Sequence, residues 1–316
     1  MTATGIWLFP DVAAPDLVGA FRTAESLGLD EVWLGDEGAA NRDPFAVLAA
    51  AATQTSRARL GLAVTNPYLR HPAVTASAMM TVQELSMGRA VLGVGAGGGL
   101  CLGPLGITSE HPLQRVRDFI RIARAVAGGT ATEGYSPPDG AFRAPSLPIY
   151  IGSRSEQLNR LASSAADGAF VGATPFFLLG TTMAWARSAR PIPVSLYLNA
   201  LFGREELEWA RPRLVQSLLD APEVSRSHLG LYEADLRSAV AGLAHDDDQL
   251  ARKLMTDEIV DQLVLFGDRR RVARRLCEIA RTYQPASIGI CLRTSAHPKI
   301  IEECGAVLAA ARKELS

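Results

Sequence analysis

Cysteine, lysine and histidine are scarce in this chain of 316 residues, and no charge sign dominates it. The four cysteines, Cys101, Cys277, Cys291 and Cys304, form no C-x-x-C pair, and none has a histidine at metal-ligand spacing. That excludes the common zinc patterns and a disulfide framework, and a reduced cytoplasmic protein is expected. Arginine far outnumbers lysine, but acids balance it to a net charge of -1. No global field is left to hold nucleic acid or an acidic membrane surface. No apolar run is long enough to cross a bilayer, and strand-like sequence begins within a few residues of Met1 with no basic leader ahead of an apolar core. Neither secretion nor membrane insertion is expected, and the partner implied is a small molecule.

What is present is a large apolar fraction, 48%, against 21% charged residues, enough for a sizeable core. Apolar runs of strand length alternate with segments of helical period. Gly5 to Phe9 is a strand and Pro15 to Gly28 a helix. Glu31 to Gly35 is a strand, and Asp43 to Ser56 a helix opened by Asp43 as N-cap and Pro44 at its first position. Strands at Leu60 to Val64, Ala90 to Val94, Pro148 to Gly152, Gly168 to Gly172, Pro193 to Asn199 and Ala286 to Leu292 continue the series, with helices after each up to Pro298 to Leu315. Gly128 to Ser146 reads as an excursion with a small hairpin. Eight strand-helix units in order select an α/β fold of the (β/α)8 TIM-barrel type over an open sheet. The chain is expected to be one domain over 1-316, with an almost wholly helical insertion at about 203-281 between strands seven and eight.

In such a barrel the chemistry sits at the carboxyl ends of the strands. Strand two ends in Asp36 and Glu37, two adjacent acids pointing in different directions; the alternative is that Asp36 only caps the next loop. Strand three leads into Thr65-Asn66-Pro67-Tyr68-Leu69-Arg70-His71-Pro72, where Asn66 offers a donor and an acceptor to a flat heterocycle and His71 reads first as a helix-start residue. Strand four ends in Gly93-Val94-Gly95-Ala96-Gly97-Gly98-Gly99, which allows close backbone approach but matches neither a Walker loop nor a dinucleotide fingerprint. Strand five ends in Gly152-Ser153-Arg154-Ser155 at a helix start, and strand six in Gly172-Ala173-Thr174. Together these supply amides, hydroxyls and a guanidinium for a phosphate, with simple capping by Ser153 or Ser155 as the alternative. The arginine run 269–275 reads as a solvated helix face and His245 to Asp248 as an exposed turn.

Ala24-Glu25-Ser26-Leu27-Gly28, Val32-Trp33-Leu34-Gly35-Asp36, Arg42-Asp43-Pro44, the Thr65 to Pro72 loop, Ser86-Met87-Gly88-Arg89 and Gly93 to Gly97 resemble the bacterial luciferase-like superfamily, in particular its coenzyme F420-dependent branch, the branch of methylene-tetrahydromethanopterin reductase. The resemblance covers most of the first 175 residues and continues weakly through Ala165 to Gly168. It implies an isoalloxazine-like ring at the strand ends, a phosphate tail near strands five and six, a cis peptide at Ala63-Val64 behind the ring, and relatives that are commonly homodimers or larger. The residues it implies for the cofactor are Asp36, Ala63, Val64, Asn66, Gly95, Gly97, Gly98, Gly152, Ser153, Arg154, Ser155, Gly172, Ala173 and Thr174. Trp7, Asp11 and Tyr68 are expected near the substrate, Trp7 and Tyr68 being equally readable as packing residues.

Two positions depart from the sugar-phosphate dehydrogenase members of that branch. Glu37 stands where they carry a histidine, and Gly98 where they carry a glutamate. The expected activity is therefore reduction of an activated C=C or C=N bond by reduced F420, with Glu37 as proton donor. The rival readings are an FMN-dependent monooxygenase using oxygen and a cofactor-binding paralogue without catalysis.

Overall fold

The computed structural model describes residues 2–39, 41–143, 147–292 and 298–315. Its strands are β1 (Ala3–Leu8), β2 (Glu31–Leu34), β3 (Arg59–Thr65), β4 (Ala90–Val94), β5 (Ile149–Gly152), β6 (Gly168–Gly172), β7 (Val194–Leu201), β8 (Val264–Phe266) and β9 (Ser287–Leu292). All pairings between them are parallel. β1 to β7 pair in sequence order, β9 pairs with both β7 and β1, and the sheet closes into a barrel of eight strands. This is a TIM barrel, as the alternation of strand and helix leads one to expect.

The insertion differs from expectation. β8 is a ninth strand that pairs with the end of β7 at Asn199 to Leu201 and continues past Asn199, the last residue of β7 to pair with β9. The apolar triplet Val-Leu-Phe is too short for periodicity to separate it from the surrounding helices. Helix Arg269–Tyr283, assigned to the insertion from sequence, packs against the final helix Pro298–Leu315 in the outer ring. What remains of the insertion has its own apolar cluster around Leu214, Leu218, Leu236, Met255 and Val260. Gly128 to Ser146 holds a hairpin reduced to one antiparallel pair, Thr132 and Tyr135 exchanging both backbone hydrogen bonds across a two-residue turn, and residues 144–146 lie outside the described residues.

The barrel interior is filled by large rings from β2, β5, β6 and β7. Trp33, Tyr150, Phe170 and Tyr197 pack on one another with centroids 5.0 to 6.4 Å apart. Gly61 makes the room, since a Cβ there would sit 2.0 Å from the Trp33 ring. Below the rings Glu31, 2% exposed, accepts hydrogen bonds from Tyr197 Oη at 2.8 Å and from Ser287 Oγ. The rings and the Glu31 hydrogen bonds pack this part of the interior.

Two motifs of the sequence resemblance prove to be fasteners at the opposite end from the site. Arg89 donates to the carbonyls of Ala52, Thr55, Ala58 and Ser86, fixing the turn between helix Pro44–Gln54 and β3. Glu25 accepts the backbone N–H groups of Ser56, Arg57 and Ala58 at 2.7 to 3.1 Å. Partial burial favours the neutral acid, but the three N–H donors outweigh it and draw the Glu25 pKa down to about 2. With the folded pKa below the unfolded one, this stabilisation is complete above the ordinary glutamate range and is lost as pH falls toward 2. Glu25→Gln is expected to cost about 1–2 kcal/mol in urea unfolding at pH 7, a modest figure because the site is half-exposed, with the gap to wild type closing below pH 4. A gap independent of pH would remove the charged hydrogen bonds from the account.

Candidate active site

A cavity of about 670 Å³ opens at the carboxyl ends of the barrel strands. Trp7 and Phe9 contribute from β1, Asp36 and Glu37 from β2, Ala63, Val64 and Asn66 from β3, and Ala96 to Gly99 with Cys101 from β4. Gly152 to Ser155 follow from β5, Phe170, Gly172 and Ala173 from β6, Cys291 from β9, and Gln216, Ser217 and Asp220 to Pro222 from the insertion. Sequence reasoning named lining residues at the strand ends and expected the insertion to contribute to the pocket, but named no residue of the insertion.

The floor is made by β3. The Ala63–Val64 peptide is cis, as the resemblance implies, and the β3–β4 register shifts between Leu62 and Thr65. The Ala63 carbonyl accepts the Trp7 indole N–H at 2.5 Å, so Trp7 backs the floor. The Val64 isopropyl group sits over two glycines. A Cβ on Gly95 would lie 2.7 Å from its Cγ2, and one on Gly152 2.4 Å from its Cγ1. Gly95 therefore acts beneath Val64 and is not itself among the residues lining the cavity.

On the acid side, Asp36 is 8% exposed and accepts the Thr65 hydroxyl at 2.6 Å. Burial raises its pKa above the usual aspartate range, against the opposing pull of Thr65, Arg70 and the Gly38 N–H. Glu37 lines the same wall, and its backbone carbonyl accepts Asn41 Nδ2 at 3.2 Å. Cys101 lies beside both acids. Burial first, and then the nearby carboxylates, push its thiol up to about 11, so it stays protonated and is no nucleophile at neutral pH.

Asn66 is less available than expected. Its Oδ1 accepts the N–H groups of Tyr68 and Leu69 at 3.0 and 3.1 Å, and its Nδ2 points at Cys101 Sγ, 3.5 Å away. The acceptor thus holds its own loop as an Asx turn. Tyr68 donates to the Glu110 carbonyl and, like the exposed Asp11, is not among the lining residues. His71 is the N-cap of helix Pro72–Leu85, its Nδ1 accepting the Ala73 N–H.

At the strand-five end Ser155 caps helix Glu156–Ala165 and shares a hydroxyl contact of 3.1 Å with Ser153. Arg154, expected on a phosphate, instead donates Nη1 to the Ser217 carbonyl at 2.6 Å and Nη2 to the Asp220 carbonyl at 2.8 Å. Thr174 is 2% exposed, bonds back to the Gly172 carbonyl and is outside the cavity lining. The groups left at that end are the Ser153 and Ser155 hydroxyls and the backbone around Gly172 and Ala173. Among the described residues no group of acids, histidines and cysteines could hold a metal ion, and no helix is long and apolar enough to cross a membrane.

A closed parallel barrel with a deep cavity at its carboxyl rim, an apolar floor and two acids in one wall defines a TIM-barrel enzyme. The profile of the luciferase-like monooxygenase family matches residues 2–284, and the chain belongs to that family. It is 37% identical over 176 residues to the 5,10-methylenetetrahydromethanopterin reductase of Archaeoglobus fulgidus, covering 54% of this chain and 53% of that protein. It is 33% identical over 174 residues to the F420-dependent glucose-6-phosphate dehydrogenase of Beutenbergia cavernae, 49% of this chain and 52% of that one. The chain thus spans about half the length of these two relatives. The structure of the coenzyme F420-dependent tetrahydromethanopterin reductase from Methanopyrus kandleri shares its fold, with a TM-score of 0.79 over 96% of this chain and 97% of that one at 22% identity.

Proposed function

We propose that the chain is an F420-dependent oxidoreductase that reduces an activated C=C or C=N bond of a small organic substrate. The observation that carries this reading is the floor: an apolar shelf of Ala63 and Val64, raised over Gly95 and Gly152 and backed by Trp7, with acids on one side and hydroxyls on the other. Those residues fit a flat ring with a polar tail. The shelf supplies a planar apolar contact, Gly97 and Gly98 leave the backbone of the strand-four loop open to the ring edge, and Ser153 and Ser155 stand where a tail can be bonded. When bound, the coenzyme supplies a hydride. The names of the relatives from Archaeoglobus fulgidus and Beutenbergia cavernae support that choice of cofactor.

The protein's own contribution is placement and a proton. Val64 and Trp7 fix the height of the floor, and Asp36, held by Thr65, presents one carboxyl edge at the rim. Glu37 is the proton donor in this reading, because it lines the cavity in the acid wall, where the neighbouring Asp36 carboxylate is engaged by the Thr65 hydroxyl. Parallel titration with F420 and FMN, followed by oxygen-uptake measurements on each loaded form, tests the reading. F420 binding without oxygen uptake is expected; FMN binding with oxygen uptake overturns it in favour of a monooxygenase.

A further inference from the structure

The insertion brings a carboxylate to the cavity that the reading above leaves without a role. Helix Leu214–Leu219 ends at Asp220, and the last carbonyls of any helix lack partners within it. Arg154 fills that need with both arms of its planar fork, on Ser217 at 2.6 Å and Asp220 at 2.8 Å, which ties Asp220 to the loop after β5. Gln216 Nε2 then donates to Asp220 Oδ2 at 3.1 Å and orients the side chain. Facing it are Gly98 and Gly99, where an added Cβ would lie 3.9 and 3.3 Å from the two carboxylate oxygens. With glycine at both positions, no side chain intervenes between this carboxylate and the strand-four loop. Among the described residues the charged side chains lining the cavity are then Asp36, Glu37, Asp220 and Arg154, the last with both Nη groups donating to the Ser217 and Asp220 carbonyls.

We propose that Asp220, positioned by Arg154, is a specificity-determining residue that receives a cationic or N–H-donating nitrogen group of the substrate and disfavours a carboxylate or phosphate there. The inference rests on the cavity being the active site. Asp220 is exposed at the rim of the cavity, where a carboxylate attracts a cation and repels an anion of the same shape, and both effects fade with salt.

Benzamidinium and benzoate, planar probes of nearly equal shape and opposite charge, provide the test by calorimetry on the full chain, with and without saturating F420. Wild type is expected to bind benzamidinium at least ~10-fold more tightly than benzoate. Asp220→Asn is expected to bring the ratio near one, Asp220→Glu to keep most of it, and Arg154→Lys, which keeps the charge and loses the planar fork, to lower it by about threefold through loss of positioning. Equal binding, benzoate preference or no measurable binding of either probe by wild type overturns the proposal. So does a preference that survives in Asp220→Asn, or an Asp220→Asn protein that binds F420 more than ~10-fold more tightly, which would place the carboxylate on the cofactor. Failure of wild type to bind F420 overturns the oxidoreductase reading instead, and a benzamidinium preference that depends on Asp220 would still support the assignment of this residue.

Discussion

Glu37→Gln should lower turnover by about 10²- to 10³-fold while leaving the F420 dissociation constant within a factor of about three. Glutamine keeps the size and the hydrogen-bonding edge of the side chain and removes only its capacity to give up a proton. A loss confined to kcat is therefore the signature of a group acting in the chemical step. Asp36→Asn serves as the comparison. Asp36 is 8% exposed and engaged with Thr65, so its replacement disturbs a buried hydrogen bond and should weaken cofactor binding as well as turnover. The measurement is steady-state oxidation of reduced F420 with any activated alkene or imine that wild type reduces, beside a fluorescence titration of the coenzyme. Unchanged turnover in Glu37→Gln would transfer the proton to another donor.

Gly152→Ala is expected to act on the floor itself. The new Cβ would stand 2.4 Å from Val64 Cγ1, closer than carbon atoms approach, so the isopropyl group must rise into the cavity or β5 must shift. Overpacking of this kind costs typically about 1–3 kcal/mol, a drop of several degrees in Tm for a chain of this size. F420 affinity should fall by more than about tenfold, since the shelf it rests on moves. Removing the obstruction gives the decisive arm: Val64→Ala combined with Gly152→Ala should recover most of the lost stability, a coupling between neighbours that two independent effects would not produce. Gly103→Ala, with nothing within 4 Å of its Cβ, is the neutral control. If the double variant is no more stable than Gly152→Ala alone, the nesting of Val64 over the glycine is not what requires glycine at 152.

What could be read from the sequence follows the range of the interactions involved. Strand and helix positions depend on local periodicity and caps, and Asp43, with Pro44 after it, caps its helix as the two residues suggest, accepting the N–H groups of Phe45 and Ala46. The acids after β2 and the glycines after β4 were legible because each follows directly from the end of a strand, whereas the floor at Ala63 and Val64, within β3, was legible only through the family resemblance. Arg154 was assigned to a phosphate because its neighbours are serines at a helix start. Its partners Ser217 and Asp220 are 63 and 66 residues away, in a segment with no recognisable motif. The same distance hid Gln216 and Asp220 as cavity residues. Tyr68 and Asp11 lie outside the cavity lining for a different reason: both are in loops whose direction is set by tertiary contacts, such as the Tyr68 bond to the Glu110 carbonyl, which spacing along the chain does not encode. Phe170 was visible only as part of an apolar strand, and its place on the cavity wall needed the barrel to close.

The titration of the purified chain with oxidised F420 and with FMN, followed through the protein's tryptophan fluorescence, bears most directly on the central claim. Trp7 lies in the cavity wall, so a ring on the Val64 shelf should quench it. The account predicts saturable quenching by F420 with a dissociation constant at least ~10-fold below that for FMN, and loss of most of that affinity in Gly152→Ala. Tighter binding of FMN, or no saturable response to either compound, would contradict it.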